Sequence, residues 1–178
     1  MAMNYKNEIH IQHYNSPVGE LLIGSFENQL CLCDWQHRRM RTTIDKRLQT
    51  TLNAHYIEKS STVIEATLKQ LDHYFGNKLE KFKLPLLILG TDFQQQVWHA
   101  LQTIPYGSTT SYQTLANRIN NKKAVRAVAN ANGANAISII IPCHRVIGSR
   151  GELTGYAGGL DAKKRLLALE RHQVDTPS

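Results

Sequence analysis

Residues Ser111–Ala131, SYQTLANRINNKKAVRAVANA, decide the architecture of the second half of this chain. Ser111 is an N-cap type of residue, and Tyr112, Leu115, Ala116 and Ile119 follow at the spacing of one helix face. Asn120-Asn121 interrupts the pattern, and Ala124, Val125, Val128 and Ala131 restart it. Two short helices across a tight polar turn, with Lys122, Lys123 and Arg126 at the second, read as a helix-turn-helix. Ala124, Ala127, Ala129 and Ala131 line the second helix, so its backbone can lie close against something narrow, and Arg126 is its one long cationic side chain. Small-residue helices also pack tightly inside cores, and charge separates the two readings. From Phe93 to Gly151 there is no Asp or Glu, while Arg118, Lys122, Lys123, Arg126, Arg145 and Arg150 all fall in that window. An uncompensated positive field of this kind is the footprint of a polyanion partner.

The flanks extend the pattern. Thr91 and Gln94 have capping-box spacing, and Phe93, Val97, Leu101 and Ile104 form the apolar face of a helix that Pro105-Tyr106-Gly107 ends. After the helix-turn-helix, Gly133-Ala134-Asn135 breaks the second helix, and the β-branched run Ile137–Ile141 reads as a buried strand that delivers Pro142-Cys143-His144-Arg145 at its end. A glycine-rich loop with Tyr156 in its middle spans Gly151–Gly159; Asp161 then caps a last helix that carries Leu166, Leu167 and Leu169 and ends near His172. The first ninety residues read as mixed α/β. Ile9, Ile11 and His13 alternate as on a strand, Leu21–Ile23 and Leu30–Cys33 suggest a hairpin, and Ile64, Leu68, Leu71 and Phe75 mark a helix stopped by Gly76-Asn77. Arg38–Arg41 and the polar tract Asn53–Ser61 read as loop without chemistry, and Gly90-Thr91 divides the chain into units 1–90 and 91–178.

Composition narrows the class. A chain of 178 residues with 42% hydrophobic and 20% charged residues is globular, which excludes collagen-like and wholly disordered readings. No apolar run approaches the roughly 18 residues that span a bilayer, and Met1–His10 lacks the apolar core of a secretory signal, so a cytoplasmic protein is expected, or a nuclear one in a eukaryote. Three cysteines are too few, and odd in number, for a disulfide framework. Cys31 and Cys33, at i and i+2, are expected on one strand face with His37 nearby, but their spacing is not that of zinc knuckles; core packing without metal is the expectation.

Cys143 is different. It precedes the charged pair His144-Arg145, and a neighbouring cation raises the thiolate fraction of a thiol. Lowering its pKa by two units takes about 2.7 kcal/mol, which a partly buried imidazole or guanidinium can supply. Cys143 is therefore the candidate nucleophile, weighed against an inert core cysteine.

Pro142-Cys143-His144-Arg145-Val146 resembles the active-site signature of the O6-alkylguanine-DNA alkyltransferases, also called methylated-DNA–protein-cysteine methyltransferases. Phe93-x3-Val97-Trp98-x2-Leu101-x2-Ile104-Pro105-Tyr106-Gly107 and the Thr109–Ala116 segment resemble that family's entry into its DNA-binding domain, Ala124–Val128 its recognition helix, and Gly155–Leu160 its pocket loop. The likeness is dense over residues 91–171 and thin before them, where Ser16-Pro17-Val18-Gly19 carries it. It implies an α/β chain in which an N-terminal RNase H-like αβ roll precedes a mostly helical domain with the helix-turn-helix. It implies that Cys143 accepts the alkyl group, that His144 activates it through a water and that Glu170 orients the imidazole. Asn135 matches a hinge after the recognition helix, Arg126 the finger that fills the duplex where the base has left, and Tyr112 the residue that helps rotate the nucleotide and protonates the leaving guanine. Tyr156, Val146 and Ala157 match the guanine pocket, and Ser111, Lys122, Lys123 and Ala127 accompany Arg126 and Tyr112 on double-stranded DNA, in the minor groove. No cofactor and no metal are implied, and the protein is expected to be a monomer.

The chemistry of the residues agrees. An O6-alkylated guanine must leave the stack before a thiolate can approach in line, and an alanine-lined helix suits the narrow minor groove. Attack at an sp3 carbon leaves a thioether that water does not hydrolyse, so each molecule acts once. Ser138 stands where some members carry proline and Ala157 where some carry serine, positions that bear on tolerance of bulky alkyl groups. Two other classes compete: a non-catalytic lesion binder or helix-turn-helix regulator, against which Cys143 counts, and a cysteine hydrolase using Cys143 and His144, which would turn over repeatedly.

Overall fold

Glu27 and Asn28 both hold positive φ, 48° and 59°, the twist that a two-residue hairpin turn requires. Strands β2 (Gly19–Phe26) and β3 (Gln29–Trp35) pair antiparallel across that turn, as the sequence pattern implies. The computed structural model describes residues 4–175. Strand β1 (Asn7–Ser16) pairs antiparallel with β2, and β4 (Ala54–Glu58) pairs parallel with β1, so the sheet order is β3-β2-β1-β4. Since β3 and β4 run the same way, the chain must cross over between them, and helix α1 (Arg41–Leu52) makes that crossover. Helix α2 (Thr62–Phe75), capped by the Ser61 hydroxyl accepting from Ile64 N at 3.2 Å, packs against β1, β2 and β3.

The tract Asn53–Ser61, read as loop, thus contains β4, and α1 fills the segment between the two loop stretches, for which the sequence pattern named no element. The reason is physical: only Ile44 and Leu48 of α1 are buried, too narrow a stripe to show helical periodicity, and β4 is an edge strand in which Ala54 alone is fully buried. The two N-terminal cysteines also depart from expectation. The β2–β3 register shifts at Gly24/Ser25, leaving Cys31 as the extra residue of a bulge, so Cys31 and Cys33 enter different hydrophobic clusters.

In the second half, α3 (Asp92–Leu101) starts from the expected capping box, Gln94 N donating to Thr91 Oγ1 at 3.2 Å and Thr91 N to Gln94 Oε1 at 3.0 Å. Helices α4 (Tyr112–Arg118) and α5 (Val125–Gly133) form the helix-turn-helix, Ser111 Oγ accepting from Thr114 N at 3.0 Å at its start. Strand β5 (Thr110–Ser111) pairs in parallel with β6 (Val146–Ile147), and α6 (Leu160–Asp175) closes the chain. Asp161 lies in the first turn of α6, one residue past its start, and the helix runs beyond His172 to Asp175.

Ile137–Ile141 is buried as expected, Ile140 only partly, but is not a strand. Ile137 makes one parallel bridge to Cys33, and the chain then turns, with Ile139 at φ 72°. Asn135 replaces the missing strand partner: its Oδ1 accepts from Ile137 N and its Nδ2 donates to Ile141 O, both at 2.9 Å. A β-branched residue in the left-handed region costs about 1–3 kcal/mol, which the buried amide offsets. Edge strand β3 is covered by later chain: Cys33 N donates to Ala136 O (2.9 Å), Ser138 N to Cys33 O (2.7 Å), and Leu30 exchanges two 2.8 Å bonds with Pro85 and Leu87. One hydrophobic core runs through both halves, from Leu21 and Trp35 to Val97, Leu115 and Leu166.

Candidate active site

Cys143 opens a 3-10 turn, Cys143–Arg145, instead of ending a strand. That turn points three consecutive side chains into the interior: Cys143 is 3% exposed, His144 0% and Arg145 7%. Glu170, on the inner face of α6, gathers them. Its Oε1 accepts from His144 Nε2 (2.7 Å), Tyr74 Oη (2.8 Å) and Arg145 Nη2 (3.0 Å); its Oε2 accepts from Arg145 Nε at 2.9 Å and Gly107 N at 3.4 Å. Burial by itself pushes this carboxyl up, but the His144 hydrogen bond and the Arg145 guanidinium outweigh it and hold it at about 2.

Facing an ionised carboxylate, His144 Nε2 carries the proton. Burial drives the imidazole below its ordinary value, so the ring is neutral. Its Nδ1 is then a lone pair, buried and without a hydrogen-bond partner among the described residues. A neutral imidazole with one nitrogen tied to a carboxylate and the other free is the geometry of a general base.

The sulfur differs from the expected activated thiolate. Burial raises the Cys143 thiol, a hydrogen bond with Asn135 pulls the other way, Asp34 adds to the rise, and Arg38 and Lys163 oppose it. The adjacent cations do not do the expected work: His144 is uncharged and the Arg145 guanidinium is spent on Glu170 and on Ile104 O at 2.7 Å. Burial thus favours the protonated sulfur, and the next residue along the chain is an imidazole with a free lone pair.

The remaining site residues surround this centre. Val146, fully buried, follows it directly; Tyr156 and Ala157 are half-buried on the glycine-rich loop, where the Tyr156 ring meets Trp35 edge-on at 5.9 Å. The Tyr112 hydroxyl reaches the same loop, 3.0 Å from Thr154 Oγ1. Asn135 and Asn132 brace the Cys143 turn from the end of α5, Asn132 donating to Cys143 O at 3.4 Å. Lys122, Lys123, Arg126 and Ala127 are exposed together at the turn and start of α5, with Ser111 half-buried at the start of α4.

The pattern matches known proteins along nearly the whole chain. Residues 9–88 match the ribonuclease-like domain of 6-O-methylguanine DNA methyltransferase, and residues 92–172 match the DNA binding domain of the same protein. The chain belongs to this methyltransferase family. It is 42% identical over 171 residues to the methylated-DNA–protein-cysteine methyltransferase of Mycobacterium leprae, covering 94% of this chain and 96% of that one. A Methanosarcina barkeri protein of the same name is 46% identical over 159 residues, 89% of this chain and 95% of its own. The structure superposes on that of Mycobacterium tuberculosis OGT in complex with DNA with a TM-score of 0.80 at 40% identity, covering 92% of this chain and 94% of that chain.

In this family member the N-terminal half does more for the site than its sequence suggests. Arg38, read as part of a loop without chemistry, donates to Asn135 O at 3.2 Å and Gly133 O at 2.5 Å, and Arg47 donates to Ala134 O at 3.0 Å. Guanidinium groups thus satisfy the carbonyls at the C-terminal end of α5, where its dipole is negative. Buried Asp34 anchors the cluster, accepting from Arg38 (2.9 Å), Arg41 (3.0 Å) and Ser138 (3.1 Å). The Asp34–Arg38 spacing of four was the available signal; nothing local announces Tyr74 as a partner of Glu170, 96 positions away.

Proposed function

We propose that this protein repairs DNA by direct reversal, moving an alkyl group from O6 of guanine, and less readily from O4 of thymine, onto the sulfur of Cys143, once per molecule. The observation that carries the assignment of residues is the buried His144, its Nε2 held 2.7 Å from Glu170 and its Nδ1 unpartnered, next to the buried thiol. The thiol proton passes to Nδ1, directly or through a water; the S–C bond forms as the C–O6 bond breaks; the electron pair stays on guanine. Guanine then takes up a proton, with the Tyr112 hydroxyl as the donor, and the proton held by His144 restores the balance. A thiol kept protonated until the base arrives limits side reactions of the one sulfur that cannot be regenerated.

Double-stranded DNA is the partner in this reading, approached through the minor groove by α5. Arg126 fills the gap left by the rotated nucleotide, with Lys122, Lys123, Ser111 and Ala127 on the backbone, while Tyr156, Val146 and Ala157 receive the base. The division of labour falls at residues 90/91, the protein acts as a monomer, and the cytoplasm, where thiols stay reduced, suits its three free cysteines.

Intact-mass measurement after incubation with an O6-methylguanine duplex tests this. The expected result is a gain of one methylene, mapped to the peptide that holds Cys143 and absent from Cys143→Ala; no gain, or one elsewhere, ends the reading. Arg126→Ala should slow repair of the duplex far more than reaction with the free base, whereas equal loss on both removes the finger role.

A further inference from the structure

Lys163 lies on α6 with no exposed surface. An ammonium taken from water is costly unless its protons are satisfied, and buried lysines are usually paired with carboxylates. Among the described residues no ion pair includes Lys163. Its partners are backbone oxygens: Nζ donates to Val146 O at 2.6 Å and to Thr154 O at 3.3 Å, and it stands 6.0 Å from the centre of the Tyr156 ring. The partners belong to two walls of the site, the strand after the turn and the glycine-rich loop. Val146 opens β6 straight after the reactive turn, Thr154 lies in the glycine-rich loop and meets the Tyr112 hydroxyl through its own side chain, and Tyr156 belongs to the base pocket. Burial lowers the Lys163 ammonium below its ordinary value and the sulfur opposes that fall, while the ammonium in turn favours the ionised form of the sulfur.

We propose that Lys163 is a positioning residue for alkyl transfer: it ties the Val146 and Thr154 walls of the base pocket together and brings a fixed positive charge to bear on the reacting sulfur. The inference rests on Cys143 being the acceptor. Two carbonyl dipoles and an aromatic face hold the cation in place without a carboxylate, so its charge is not neutralised locally and remains available to the thiolate. Once the sulfur is a thioether that attraction disappears. The ionisable and charged groups around the sulfur are Cys33 and Asp34 of β3, Arg38 beyond it, His144 and Arg145 on the same turn, Tyr156 on the loop, and Lys163 with Glu170 on α6.

The test measures single-turnover transfer from the free base O6-methylguanine to the full-length protein as a function of pH. Lys163→Met keeps the length of the side chain and removes the charge; the rising limb of the profile should move up by about one pH unit, with transfer about tenfold slower below it. Lys163→Arg, which keeps the charge in a tighter space, should slow transfer at every pH yet leave the limb where it is in the wild type. A Lys163→Met profile scaled down uniformly, or unchanged, overturns the inference. If Lys163→Met fails to fold by circular dichroism, the wild-type protein decides: a slowly exchanging ammonium resonance in 15N NMR should shift when Cys143 is methylated, and no shift overturns the proposal. Wild-type protein that accepts no alkyl group at Cys143 overturns the underlying reading as well, which separates the two failures.

Discussion

Replacing Glu170 by Gln changes one atom at the centre of the buried cluster, and its consequences can be worked from the contacts. Both carboxylate oxygens act only as acceptors, toward Tyr74, His144, Gly107 and the forked guanidinium of Arg145. An amide turns one of them into a donor. Turned one way it confronts Arg145 Nε and Gly107 N; turned the other it confronts Tyr74, His144 and the second Arg145 nitrogen. Arg145 then remains buried without a counter-charge, a change that costs about 3–5 kcal/mol. The depression of the Glu170 carboxyl from 4.5 to about 2 gives a second measure, about 3 kcal/mol of preferential stabilisation of the anion. Against a total stability of about 5–15 kcal/mol this is large, and it should lower the melting temperature by roughly 10 °C. Because Nε2 of His144 loses its fixed acceptor, transfer to Cys143 should also slow by about a hundredfold or more. Urea denaturation and single-turnover transfer on the same preparation measure both, with Tyr74→Phe, which removes one donor and costs about 1 kcal/mol, as the internal standard. A Glu170→Gln protein within about 1 kcal/mol of wild type, transferring at an undiminished rate, would refute the reasoning from this cluster.

Acid should unfold the protein in two stages. His144 is held below its ordinary value, so the unfolded state binds the extra proton and stability declines as pH falls below about 6.5; Glu170 adds its loss between 4.5 and about 2, and denaturation midpoints against pH should show both segments. Gly158→Ala would place a Cβ 2.3 Å from Trp35 Cε2, so the pocket loop must lift from the tryptophan; about 1–3 kcal/mol of destabilisation and slower reaction with the free base are expected, and unchanged kinetics would show that Trp35 does not set the loop. Arg38→Ala removes the bonds to Gly133 O and Asn135 O and leaves Asp34 with Arg41, which should cost about 2–4 kcal/mol by denaturation and weaken binding to duplex DNA by fluorescence anisotropy; intact affinity would sever the link to the recognition helix.

Much of this molecule is written in short-range chemistry. The hairpin, the capping box at Thr91, the helix-turn-helix after Ser111 and the candidate nucleophile are legible in the residues alone, because caps, turn residues and apolar spacing act between near neighbours. The residue pattern misses α1 and β4, whose amphipathic signal is thin, and misjudges Ile137–Ile141, where the Asn135 side chain converts a strand-like run into a turn. The state of the sulfur, by contrast, is set by the fold. Whether Cys143 is thiol or thiolate depends on burial and on Asp34, Arg38 and Lys163, and whether His144 is a base depends on Glu170. Those groups come from opposite ends of the chain, Asp34 and Arg38 from the first half and Lys163 and Glu170 from α6, and the fold ties Asp34 to Ser138, 104 positions on, at 3.1 Å. Electrostatic energy in a buried site is a sum over everything nearby in space, and adjacency along the chain records only a small part of that sum.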